Sequence, residues 1–543
     1  MNRRLIAVFC LFALASMGLY FRVGAIATSE ELEETAQSQS SYTLTFDHTR
    51  GQIYDCRMLP LVDQEEEYVA ACLPTPENMA ALPKSASLAA EEGTISELME
   101  TGRPFLAKST LPKLNIPNVK VFPVKKRYSI DQPARHIIGY LDDTRQGVTG
   151  IEKAYNDFLD EEAAVSSVTY KVDGRRNPLL GSDEQVNLAP VQTRGVVLTI
   201  DKRIQKVVEE VGQELLDKGA IVVMEPKTGK IRAIASFPQY KVYDLASAVK
   251  DSENSPMLNR AFSAYNVGST FKIVTSAAAL TQGISAYTEF FCAGKVDVLT
   301  QTFKCHNENG HGMLDLKGAL EASCNPYFIQ LGQMINKDLF LNMAKDLSFG
   351  KATTFADGMS TVKGYVPTKD ELYNPAAVAN FSFGQGTLMA TPVQVARMVC
   401  AVVNGGSTPE ASLVEGTTLD GKLISERSEA AAPVKAMSES IAEVIRQDLV
   451  SSVMEEPNQN AKPQYVTAGG KTGTAQTGQI KEDGEELLQG WFAGFFPAED
   501  PEYVVVVLSE DASSGNQDAS PVFREIADRL NAPLEMPREL RGE

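Results

Sequence analysis

"NRAFSAYNVGSTFKIVTSAAALTQG" (residues 259–283) sets one serine, Ser269, at the entrance to an apolar run in which the next charged side chain is Lys272. On a helix, positions three apart share a face, so the Lys272 amine can approach the Ser269 hydroxyl. A serine hydroxyl is a poor nucleophile until a base stands beside it. Phe271, Ile273 and Val274, then Ala277 to Leu280, surround the lysine with apolar groups. Removal from water disfavours the ammonium and pushes the amine towards its neutral, proton-accepting form. The stretch reads as a nucleophile and its base on one helix. Ser-x-x-Lys recurs by chance in a chain of 543 residues, so the reading needs support from elsewhere.

Two further stretches supply it. "LEASCNPYFIQLG" offers Ser323 and Asn325 in apolar surroundings, and "TAGGKTGTAQ" offers Lys471, Thr472, Gly473 and Thr474 on a predicted edge strand. Alone, Ser323 reads as a helix N-cap and the Lys-Thr-Gly run as an exposed turn; their order and placement relative to Ser269 argue against coincidence. Around them, Ile204, Val207, Val208, Val211 and Leu215 recur at three and four residues behind Asp201, a helix with its N-cap. "AIVVMEPKTGKIRAIAS" reads as a β-hairpin, residues 260–405 as an Ala-rich helical insertion, and "GGKTGTAQTG", "LLQGWFAGFF" and "YVVVVLSED" as three strands before a helix from Pro521. One antiparallel sheet with helices on its faces is the expected α+β core.

Composition bounds the rest. With 51 basic against 70 acidic residues and no Lys/Arg-rich run, the chain does not read as a nucleic-acid binder. Arg3 and Arg4 precede an uncharged apolar run from Leu5 to Phe21, long enough for a single membrane-spanning anchor with its N-terminal side cytoplasmic and the remainder outside. Ala25-Ile26-Ala27 leaves a cleaved secretion signal as the competing reading. Outside the cytoplasm, Cys292 and Cys305 form a candidate disulfide, with two free thiols as the alternative; Cys56 with Cys72 is a weaker pair, and Cys324 and Cys400 read as core packing. The four histidines show no His-Glu-x-x-His or Cys/His ligand spacing, so no metal is expected.

Ser269-x-x-Lys272, Ser323-x-Asn325 and Lys471-Thr472-Gly473 resemble the three signatures of the penicillin-binding proteins and serine β-lactamases. "TRGQIYD" (49–55) and "ARHIIGYLDDTRQGVTGIEKAYNDFL" (134–159) extend the likeness to the class B penicillin-binding proteins. The resemblance implies a transpeptidase domain with a five-stranded antiparallel sheet and an all-helical subdomain, behind an elongated mixed pedestal. The implied division is residues 1–4 cytoplasmic, 5–27 anchor, 28–41 polar tether, 42–195 pedestal, 196–535 transpeptidase domain and 536–543 tail. It also implies roles: Ser269 attacks a D-Ala-D-Ala stem peptide, Lys272 is the base, Ser323 and Lys471 relay a proton to the leaving D-Ala, and Asn325, Thr472, Gly473 and Thr474 bind substrate. The oxyanion would lie between the backbone N–H groups of Ser269 and Thr474. No cofactor is implied. Implied partners are stem peptides as donor and amine acceptor, β-lactams, and a polytopic membrane glycosyltransferase supplying glycan. A β-lactam sensor or wall scaffold and a D,D-carboxypeptidase are the alternatives. A class A β-lactamase would need a deacylating Glu, and "DELYNP" (370–375) is its nearest match.

Overall fold

The computed structural model describes residues 2–29, 40–90, 93–179, 181–428, 431–480 and 484–533. Most of the expected tether and the whole expected tail lie outside them. Helix α1, Asn2–Ala27, begins three residues before the expected anchor. Among the described residues it is the one helix long and apolar enough to cross a membrane, which makes it compatible with a single-pass anchor.

The chain packs as two units, and neither is a continuous segment. The first takes residues 1–50, 63–127 and 161–192. It contains a three-stranded sheet of Ser41–His48, Val165–Lys171 and Gln185–Asn187, and a four-stranded sheet in which Glu65–Cys72 lies between Phe105–Ser109 and Val119–Lys126. Its small cores are built from Ala70, Cys72, Met99 and Phe105, and from Phe46, Ala71, Val124 and Val168.

The second unit takes residues 51–62, 128–160 and 193–543; a crossing at 192/193 lies beside the boundary expected at 195, but two segments of the expected pedestal, 51–62 and 128–160, pack with this unit. Two pairings account for the difference. Gln52–Tyr54 runs parallel to Gly195–Leu198, which is also paired with Val414–Thr418. Ala134, Ile137, Ile138, Ile151 and Leu159 enter the same buried core as Val222 and Phe271.

At the centre of this unit lie β1 (Gly219–Met224), β2 (Ile231–Phe237), β3 (Gly469–Ile480), β4 (Glu486–Phe496) and β5 (Tyr503–Ser509). They form one antiparallel sheet in the order β2-β1-β5-β4-β3, with Lys471 on the edge strand as expected. The sequences of β1 and β5 are almost wholly apolar because both sheet faces are covered. Alternate side chains take alternate faces. Ile221, Val223, Val505 and Val507 meet α2 (Lys202–Leu215) and the C-terminal helix Ser520–Asn531, whereas Val222, Met224, Val504 and Val506 face the helical insertion. Asp201 caps α2 through Arg203 N–H at 2.9 Å. Ile204, Val207, Val208 and Val211 are buried as their spacing predicts, but Leu215, in the last turn, is 45% exposed.

Candidate active site

The insertion returns the chain to the sheet at Ser269. Gly268–Phe271 is a 3-10 turn, and α3, Lys272–Thr281, follows without a break. Side chains three apart eclipse in a 3-10 turn, so Ser269 and Lys272 share a direction more closely than on an ideal α-helix. Strand β4 and a distant loop fix the approach to this turn. The Trp491 indole donates to the Asn266 carbonyl at 2.8 Å, Asn266 N–H donates to Gln489 Oε1 at 3.0 Å, and Gly268 N–H donates to the Gly384 carbonyl at 2.9 Å. Strand β3 presses on the same turn. A Cβ on Gly473 would stand 2.9 Å from Val267 O and from Thr270 Cγ2, and one on Gly268 would stand 2.6 Å from Thr474 O. The glycine of the Lys-Thr-Gly run is therefore required by close approach, not by a turn.

Lys272 is completely buried. Its Nζ lies 2.6 Å from the Ser323 carbonyl, 2.8 Å from Asn325 Oδ1 and 3.2 Å from Ser323 Oγ. Two N–H bonds satisfy the carbonyl and the amide oxygen, and the Ser323 hydroxyl can turn its proton to the nitrogen. The surroundings thus suit a neutral amine, and no carboxylate is among these partners. Burial, reinforced by the like charge of Lys471, pushes the Lys272 amine well below its ordinary pKa. Burial also lowers Lys471 to about 7, and its Nζ lies 3.3 Å from Thr472 Oγ1.

Ser323 has φ +48°, in the left-handed region, and Asn325 opens helix α4, Asn325–Met334. Thr474 is exposed, and its Oγ1 accepts from Gly515 N–H at 3.1 Å. All eight side-chain positions expected from the sequence thus gather around the Ser269–Lys272 turn. Sequence reasoning missed the supports of that turn, Asn266, Gly384, Gln489, Trp491 and Gly515, because none carries a chemical signature. In "DELYNP", Glu371 is occupied by Thr368 N–H at 2.6 Å and the Tyr365 hydroxyl at 2.8 Å. A cavity of about 740 Å³ lined by Lys218, Tyr240, Glu510 and Asp511 contains none of the signature residues, so the site is assigned by chemistry and not by volume.

The candidate disulfide is not formed: all seven cysteines are free thiols. Cys292 ends a short strand and Cys305 follows another, and both sulfurs face His311 Nδ1 at 3.6 Å.

Residues 219–528 match the family model described as the penicillin binding protein transpeptidase domain. The chain belongs to that family. It is 28% identical to stage V sporulation protein D of Bacillus subtilis (strain 168), over 97% of this chain and 85% of that protein. It is 26% identical to the peptidoglycan D,D-transpeptidase MrdA of Haemophilus influenzae, over 79% of this chain and 74% of that one. Among solved structures, penicillin-binding protein A from M. tuberculosis, as its penicillin G acyl-enzyme complex, superposes with a TM-score of 0.64 at 22% identity, covering 88% of this chain and 99% of the other. The fold is therefore that of a penicillin-binding transpeptidase domain, α+β, preceded by an N-terminal apolar helix.

Proposed function

We propose that this protein is a peptidoglycan D,D-transpeptidase in which Ser269 is the nucleophile and Lys272 its base. The observation that carries the reading is the wholly buried Lys272 amine, three residues after Ser269 and within 3.2 Å of Ser323 Oγ and Asn325 Oδ1. In the proposed reaction Ser269 Oγ attacks the carbonyl of the penultimate D-Ala as its proton passes to Lys272 Nζ. The oxyanion forms between the N–H groups of Ser269 and Thr474, which are in place before charge develops. Ser323, next to Lys272 and under the influence of Lys471, returns a proton to the departing D-Ala. Lys471 in its charged form, with Thr472 and Thr474, holds the substrate carboxylate, and Asn325 holds its amide. An amine from a second stem then attacks the acyl-enzyme and restores Ser269. A β-lactam enters by the same first step and leaves Ser269 acylated.

Arg3 and Arg4, ahead of the apolar run from Leu5, support an orientation with the catalytic unit outside the cytoplasm. A membrane glycosyltransferase would supply the glycan strands that this chain cross-links. The test is labelling with a fluorescent penicillin, followed by D-Ala release from a D-Ala-D-Ala stem peptide in the presence of an amine acceptor. Label is expected on the Ser269 peptide and absent from Ser269→Ala, with cross-linked product formed by the unsubstituted protein. Labelling that survives Ser269→Ala overturns the nucleophile. Acylation by penicillin with no D-Ala release from the peptide favours the sensor over the transpeptidase.

A further inference from the structure

Cys324, the residue between Ser323 and Asn325, is completely buried and joins a group that the reaction above does not use. Its sulfur, those of Cys292 and Cys305, and a ring nitrogen of His311 all lie within 4.8 Å of one another. We propose that these four residues bind one structural zinc ion, and that the metal fixes the Ser323–Asn325 segment against Lys272.

The donor set is the first argument. Three thiols and one imidazole match a closed, four-coordinate structural zinc site. The second is spacing. Sulfur at about 2.3 Å and nitrogen at about 2.0 Å from a tetrahedral ion stand about 3.5–3.8 Å apart. His311 Nδ1 stands 3.6 Å from both Cys292 and Cys305. The third is burial: the three cysteines are buried while His311 is half-buried, which leaves one side through which an ion can enter. Cys324 also sits at the N-cap of α4, so a bond to it would anchor the start of that helix. Binding releases one proton from each of the three thiols to solvent and changes no oxidation state, and the complex carries a net charge of −1. The proposed ligands, at 292, 305, 311 and 324, lack the close paired Cys/His spacing of a zinc motif, so the sequence alone does not announce them.

The consequence for the site is positional. The Lys272 amine rests on the Ser323 carbonyl and on Asn325 Oδ1, the two neighbours of Cys324. Ser323 is in a left-handed conformation that a non-glycine residue holds only when its surroundings impose it. A metal bond to Cys324 would tie that turn to the 292–311 loop. Cys324 is thus a positioning residue for acylation, and this second part rests on the proposed function, whereas metal content does not.

The test uses the full-length, untagged protein purified in detergent under reducing conditions. Elemental analysis is expected to give about one zinc per chain, and exchange with cobalt(II) to give thiolate-to-metal charge transfer and the intense visible bands of a tetrahedral ion. Cys292→Ser and His311→Ala should each reduce the zinc content at least tenfold. Because Cys292→Ser alters a buried residue, His311→Cys serves as the conservative control: it should fold and retain zinc. Removal of zinc by a chelator should slow acylation by fluorescent penicillin at least tenfold, with recovery on adding zinc. Protein that neither contains zinc nor takes it up from a zinc chloride solution overturns the site, as does a disulfide among these cysteines. Zinc that persists in Cys292→Ser and His311→Ala is bound elsewhere and equally overturns it. An unchanged acylation rate in metal-free protein overturns the positioning role.

Discussion

Lys272 and Lys471 are both buried amines, yet they are predicted to fail in different ways when substituted. If Lys272 is the base, Lys272→Arg keeps a cation of similar length but replaces a titratable amine with a group that stays protonated. Acylation by penicillin should fall by about 10²–10⁴-fold while the variant remains folded, and the unsubstituted rate should climb with pH through the depressed titration of Lys272. Acylation of the Arg variant within a few-fold of the original would make Lys272 a structural group. Lys471 leads to a prediction about stability. Its folded pKa of about 7 lies below the ordinary lysine value, so between about 7 and about 10.4 the unfolded chain binds more protons than the folded one. Stability therefore rises with pH across that window, and below it the full penalty of burying the ammonium is present. Lys471→Met should raise stability by about 1–2 kcal/mol at pH 6. That gain should shrink towards pH 10, as read by chemical denaturation at both values. A pH-independent gain would mean that packing, not charge burial, separates the two proteins. The residues of this chemistry were legible because each signature is short and contiguous. The Cys324 cluster was not, since in sequence Cys324 looks like one more apolar neighbour.

The turn that carries Ser269 is held by elements far from it in sequence, and Gly384 tests that arrangement. Gly384 has φ +79°, and a Cβ there would stand 1.9 Å from the Gly268 carbonyl oxygen. Gly384→Ala would combine the left-handed penalty of about 1–2 kcal/mol with a backbone clash that moves Gly268, and with it Ser269. Gly283 provides the comparison: its φ is +91°, but no atom lies within 4 Å of a Cβ built there. Gly283→Ala should lower stability by the conformational penalty alone and leave acylation within about twofold. Gly384→Ala should lower stability further and cut acylation at least tenfold. Equal acylation in the two variants would show that the 384–268 contact does not position the nucleophile. The regular elements were legible from periodicity. The continuous apolar run of β1 follows from burial on both faces, and the three-four spacing in α2 from burial on one. The 3-10 turn was not, because its tightening comes from the pressure of β3 and the Gly384 loop, contacts between segments that no local pattern records.

Across the whole molecule, the chain crosses between its two units five times; the boundary expected at residue 195 falls beside the last crossing, at 192/193, and the four earlier ones are not marked by any local signal. Residues 51–62 and 128–160 were assigned with their sequence neighbours. Strand pairing to Gly195–Leu198 and burial of Ile137, Ile138 and Ile151 place them in the catalytic unit. Every contact described for the active site likewise lies within that unit, and this yields a prediction about α1. Leu5, Phe9, Phe12, Leu14, Leu19 and Phe21 are each more than 60% exposed, so α1 has apolar side chains around its circumference without a protein core to receive them. A helix of this kind is stable in a bilayer, where its backbone is satisfied internally and its side chains meet lipid. The full-length protein should therefore sediment with membranes and resist extraction by alkaline carbonate. Deletion of residues 2–27 should release it into the soluble fraction. Because α1 contributes no group to the site, the released protein should be acylated by penicillin at a rate within about twofold of the detergent-solubilised full chain. A deletion variant that stays on the membrane would place the attachment elsewhere. A mature protein that begins at Thr28 would show that the segment directs export and is then removed, leaving the catalytic unit without an anchor of its own.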